Sequence, residues 1–95
     1  MKEVTQDQYN LLFALFQGYA LQHTLDEIES TSNFVREYKR EHKRYCKFLD
    51  KEVLKILNSL YDNDNKEFEV IDDAITKNAK EFGLKGFKEF FTIKD

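Results

Sequence analysis

The densest run of chemistry-bearing side chains extends from Arg36 to Lys47, where six Lys/Arg stand against two Glu in a chain of net charge −3. Arg36, Arg40, Lys43, Lys47 and Lys51 recur at spacings of four, three, four and four. At 3.6 residues per turn this spacing aligns all five on one helix face, with Arg44 at its margin. A rigid basic stripe of this kind suits a nucleic-acid phosphate backbone or an acidic protein surface. The plainer reading is a solvated helix face, with Glu37 pairing to basic residues three and four positions on. The acidic remainder of the chain weighs against nucleic acid. So does the absence of a short, tight turn ahead of a recognition-type helix. A nucleic-acid-binding regulator is therefore the alternative and a protein partner the first choice.

Imidazole and thiol chemistry gathers around His23, His42 and Cys46. Each histidine falls in the middle of an apolar helical stripe. A chain reversal at residues 30–33 brings positions 23 and 42 to nearly the same height. Cys46 follows one turn beyond His42, and Glu27 one turn beyond His23. These are ligand types for a tetrahedral metal. Glu27, however, would lie beside residue 37, on the far side of His23 from Cys46. The four do not converge, and a metal-binding bundle is only the third reading. Hydrogen-bonded core histidines fit better, and two core-facing imidazoles would resist protonation. Cys46 has Lys43 and Lys47 as neighbours, which favours a thiolate, but its place at the apolar edge points to a structural thiol.

Asp62-Asn63-Asp64-Asn65 resembles the start of a calcium loop only superficially. Counting from Asp62, the fifth position is Lys66, the sixth Glu67 and the twelfth Asp73, where the EF-hand requires an oxygen ligand, Gly and Glu. The segment reads as a capped turn. Serines 30, 32 and 59 have no histidine at a suggestive spacing, and the three glycines are scattered, so no phosphate loop exists. Asp72 and Asp73 are adjacent and point about 100° apart on a helix, poor geometry for a shared metal. No catalytic residues emerge, no cofactor is implied, and the expectation is a protein that is not an enzyme.

The elements that must position these groups are helices. Thr5 and Gln8 form a capping box, so the first helix begins near residue 6. Leu12, Phe16, Tyr19, Ala20 and His23 share one face, and Leu11, Ala14, Leu21, Leu25 and Ile28 cover much of the opposite side. A helix apolar nearly all round is central to its fold or shared between subunits. Ser30-Thr31-Ser32-Asn33 favours caps and turns and breaks the chain. The second helix then runs from Phe34 to Tyr61, with Phe34, Tyr38, Tyr45, Leu49, Val53, Ile56, Leu57 and Leu60 on its apolar face. Its 28 residues span about 42 Å, whereas a compact domain of this size is only about 32 Å across. The helix must overhang, bend or find support in a second copy.

In the third helix Phe68, Ile71, Ile75, Ala79 and Phe82 form a stripe, ended by Gly83 as a left-handed cap with Leu84 supplying the apolar contact. The tail from Gly86 to Ile93 is aromatic, and reads as a last helical turn or an extended strip. Phe87, Phe90 and Phe91 close one end of the bundle or, alternatively, anchor in a groove on another protein. Closure is preferred, because three exposed Phe invite aggregation.

Composition bounds the rest. Ninety-five residues with 41% apolar and 35% charged side chains, nine Phe, five Tyr and no Pro describe one domain, 1–95, free of the strongest helix breaker. A single cysteine permits no internal disulfide. The polar N-terminus lacks a secretory pattern, and no apolar run is long enough to span a bilayer. These features predict a cytoplasmic protein without membrane attachment. The expected fold is all-α, a three- to four-helix bundle built on a long antiparallel helical hairpin. A homodimer follows from the two apolar faces of the first helix and the overhang of the second. The expected function is that of a small regulatory or adaptor protein acting by protein–protein interaction through its helical surface. The Lys-, Asn-, Ile- and Phe-rich composition suits a bacterial or phage accessory protein that modulates a host factor.

Overall fold

In the computed structural model, which describes residues 2–29, 32–61 and 66–94, four helices are bracketed by two short strands. They are β1 (Lys2–Val4), α1 (Gln6–Asp26), α2 (Asn33–Leu60), α3 (Lys66–Ile75), α4 (Ala79–Lys88) and β2 (Phe91–Ile93). The expected turn at 62–65, the Ser30-Thr31 part of the first break and the rejected calcium loop's start lie outside the described residues.

The capping box at the start of α1 forms as expected. Gln8 N donates to Thr5 Oγ1 at 3.1 Å, and Thr5 N donates to Gln8 Oε1 at 2.9 Å. These bonds satisfy two amide donors that the first turn would leave unpaired. Leu12, Leu15, Phe16 and Leu25 are buried, whereas Leu11, Leu21 and Ile28 remain open to solvent. The expectation of two fully apolar faces is thus met only in part. Helices α2, α3 and α4 and strand β2 all contact α1, which covers most of its circumference within one chain.

Along α1 and α2 the contacting residues run in opposite order. A Cβ on Gly18 would lie 3.2 Å from Cys46 Sγ, Gln22 meets His42, and Lys39 Nζ reaches Ile28 O. Helix α2 buries Cys46, Leu49, Val53, Ile56 and Leu57. Its length sets the longest dimension, 45 Å against 27 and 22 Å, so the overhang expected from its residue count is present.

The all-α expectation needs one amendment. Strands β1 and β2 pair in parallel, with Lys2 opposite Phe91, Glu3 opposite Thr92 and Val4 opposite Ile93. Lys2 N donates to Phe90 O at 3.0 Å and Lys94 N to Val4 O at 2.6 Å. Val4 and Phe91 turn inward and are buried, while Glu3 and Thr92 face solvent, the period-2 alternation of a strand. Both chain ends are thereby tied to the core.

The third predicted helix is two. Thr76 turns its hydroxyl onto Asp72 O at 2.6 Å, and Asn78 N bonds Asp73 O at 2.8 Å, closing a wide turn that ends α3. Ile71, Ile75 and Ala79 keep the expected buried stripe, but Phe82 is left partly exposed. Gly83 has the expected positive φ, 78°, yet its ψ of 166° is not that of a left-handed cap. The chain swings aside there and resumes helix, leaving Leu84 exposed rather than seated against the preceding turn. This φ/ψ region is essentially restricted to glycine. Gly83→Ala should cost about 1 kcal/mol, because an L side chain is strained there whatever space surrounds it. Urea unfolding followed by circular dichroism checks this, and an unchanged midpoint would refute it.

Candidate functional site: the faces of α2

Helix α2 carries different chemistry around its circumference. Arg36, Arg40, Lys43, Arg44, Lys47 and Lys51 are all exposed, on the side turned away from the core. Arg44 pairs with Glu41 at 3.2 Å, both side chains well exposed. Such a pair contributes little in water, so it holds the side chain only loosely. Lys39 belongs instead to the helix pair, reaching Ile28 O at the end of α1.

On the core side, His42 Nδ1 lies 2.8 Å from Gln22 Oε1 and 3.8 Å from Cys46 Sγ. Gln22, itself buried, donates its amide to Asp26 at 2.8 Å. The expected height match between positions 23 and 42 is therefore displaced by one residue. That single step rotates His23 about 100° away. His23 Nε2 meets Thr76 O at 3.1 Å instead, next to α3 and α4, so the two imidazoles do not meet. Both are half-buried and hydrogen-bonded. Among the described residues no group of three or more His, Cys, Asp or Glu is placed to hold a metal ion.

Cys46 is buried, and burial pushes its thiol above its ordinary range, with the Asp50 carboxylate adding to the effect. A thiol so held stays protonated and is a poor nucleophile. Asp50 itself forms part of a cluster that the sequence reading missed. It approaches Asp72 of α3 and Tyr19 of α1, and the Oδ1 atoms of both aspartates are buried without a hydrogen-bond partner. Burial raises both carboxyls above 3.8, and Asp72 is raised further by Asp50 and Asp73, while Lys77 opposes the shift. Tyr19 is raised too, by burial first and then by Asp50, Cys46 and Asp72. Helical position offered one hint: Asp50 lies next to Leu49 and one turn before Val53, two buried residues.

The tail phenylalanines are structural. Phe87 and Phe91 are buried in the core and Phe90 is half-buried, so they offer no exposed anchor for a partner. The most exposed aromatics lie elsewhere, on α2: Phe34, Tyr38, Tyr45 and Phe48. Three of these were assigned to the apolar face from periodicity alone. Two open clefts flank the C-terminal elements. One of about 350 Å³ lies between Lys2, Tyr61, Val70 and Phe90, and one of about 410 Å³ between Phe13, Leu21, Lys80 and Leu84. No helix among the described residues is long and apolar enough to cross a membrane. Comparison with protein families, with curated proteins and with solved structures finds no match.

Proposed function

We infer that this chain is a non-enzymatic docking protein whose basic α2 face engages an acidic surface on another protein. In this reading α1 and α2 form an antiparallel hairpin that presents the face as a rigid rod. The setting is cytoplasmic, and the protein modulates a host factor in the manner of a small bacterial or phage accessory regulator. One observation carries the reading: Arg36, Arg40, Lys43, Arg44, Lys47 and Lys51 are all exposed on one 28-residue helix. Charge of one sign on a preorganised rod steers encounter and limits the ordering that binding demands. The overall charge of −3 favours an acidic protein patch over the longer, uniformly anionic track of a nucleic acid.

The test compares a glutamate-rich peptide with a DNA duplex, both fluorescently labelled, at low ionic strength. Arg40→Glu/Lys43→Glu/Lys47→Glu should keep wild-type helicity and lose about tenfold or more in peptide affinity, mostly through the association rate. A wild type that ignores the peptide but holds the duplex with a steep salt dependence would select a nucleic-acid regulator instead. Retention of neither probe would remove the basic face from consideration.

A further inference from the structure

Helix α2 is built unevenly. All of its buried residues lie at or beyond Cys46, and no residue from Asn33 to Tyr45 is buried. A helical arm without packing is marginal in water, because helical stability in proteins comes mainly from an apolar face that is covered. This arm has such a face, and within the chain it is open. Phe34 is 76% exposed, Tyr38 48%, Tyr45 52% and Phe48 66%, and on α1 Leu21 is 42% and Ile28 44% exposed.

These side chains lie on one side of the helix pair. Gly18 and Gln22 mark the direction from α1 to α2, and Cys46 and His42 mark the return direction. By helical rotation Tyr19 and Asp50 fall to one side of that line, the side that meets α3, while Leu21, Ile28, Tyr38 and Tyr45 fall to the other. Along α2, positions 34, 38, 41, 45, 48 and 52 advance by four, three, four, three and four. This is the a/d repeat of a coiled coil, filled by Phe34, Tyr38, Glu41, Tyr45, Phe48 and Glu52.

We propose that a second copy of this chain covers the seam, with α2 against α2 in antiparallel orientation about a two-fold axis near residue 43. Area supports the assignment. The six exposed apolar residues offer roughly 600 Å² per chain, taking about 200 Å² for a fully open aromatic. Counted on both copies this is about 1,200 Å², the lower bound for a specific, stable interface.

Charge fixes the direction. A parallel pair would bury Glu41 against Glu41 of the partner subunit, and like charges directly opposed are destabilising. The antiparallel register sets Tyr38 against Phe48 of the partner subunit and gives Glu41 the phenol of Tyr45 of the partner subunit. It also brings Glu37 beside Lys51 of the partner subunit, twice by symmetry. Arg36, Arg40, Lys43 and Lys47 lie about 120–180° from the seam and point away from the contact. Their mutual repulsion crosses more than a helix width, about a Debye length at moderate salt, and so is largely screened.

Sedimentation equilibrium from micromolar to submillimolar concentration tests the proposal. The wild type should approach twice 11.4 kDa. Tyr45→Arg/Phe48→Arg should give a monomer that keeps most of its helicity and still binds the glutamate-rich peptide. Glu37→Lys or Lys51→Glu alone should weaken association about tenfold, and the two together should restore it. Wild type at 11.4 kDa throughout overturns the dimer. A dimer indifferent to Tyr45→Arg/Phe48→Arg overturns the surface, and failure of the double charge swap to restore association overturns the register. The dimer does not depend on the docking reading, because peptide binding by the monomeric variant is measured separately.

Discussion

Phe87→Ala should lose a large part of the stability of this domain, about 3–5 kcal/mol. Phe87 is fully buried. Its ring stacks on Phe16 at 4.9 Å and lies 5.5 Å from Phe13, 5.6 Å from Tyr9 and 5.8 Å from Phe91. It is thus the point at which α1, α4 and β2 meet. Truncation removes the transfer free energy of a benzyl group and leaves a cavity lined by other rings, whose flat faces cannot collapse into it. Domains of this size hold only about 5–15 kcal/mol in total, so a fall in melting temperature of roughly 20 °C is expected. Phe82→Ala is the matched comparison. Phe82 stacks on Phe90 at 4.9 Å but remains 38% exposed at the edge of the core, and its loss should cost clearly less, about 1–2 kcal/mol. Urea unfolding of the two variants at one protein concentration decides the matter. Equal costs would mean that the tail does not close the core.

The contrast between Phe87 and Phe82 also shows where sequence reasoning reaches its limit. Both residues belong to aromatic-rich segments, and periodicity placed Phe82 rather than Phe87 in the helical stripe. The turn at Thr76–Asn78 and the unusual ψ of Gly83 re-aim everything that follows, so Phe82 is left partly exposed while Phe87 enters the core as the closing reading expected. Signals that are local in the chain were legible. The Thr5–Gln8 box, the length of α2 and a mostly helical, bundled fold all follow from caps, periodicity and residue count. Signals carried by distant contacts were not. Three-residue strands have too few positions for an alternating pattern to register, and β1 and β2 become strands only because the ends of the chain meet. The histidines show how narrow the margin is: a one-residue change in register hands His42 to Gln22 and turns His23 toward Thr76.

Neutralising the acid pair should stabilise the protein, and the gain should depend on pH. Asp50 from α2 and Asp72 from α3 each bury an oxygen that has no donor; burial raises both carboxyls, and the Asp50 charge adds to the cost of ionising Asp72. An amide at either position supplies the missing donor and removes one of two like charges. Asp72→Asn should therefore gain about 2 kcal/mol at neutral pH, within the range for an unsatisfied buried polar group. The sign of the pH dependence follows from the raised carboxyls. The folded chain holds these protons more tightly than the unfolded chain, whose carboxyls titrate near the ordinary value of 3.8. Above the raised folded-state values both states are ionised and the penalty is felt in full. As pH falls through the raised folded-state values the wild type gains stability from this pair, and below the ordinary value the gain is complete. The advantage of Asp72→Asn should accordingly shrink as pH is lowered from 7 toward 4. Paired denaturation curves across that window measure the difference directly. An advantage that stays constant with pH would show that Asp72 ionises normally, and a loss of stability on substitution would show that the carboxylate is satisfied by a group that the asparagine cannot replace.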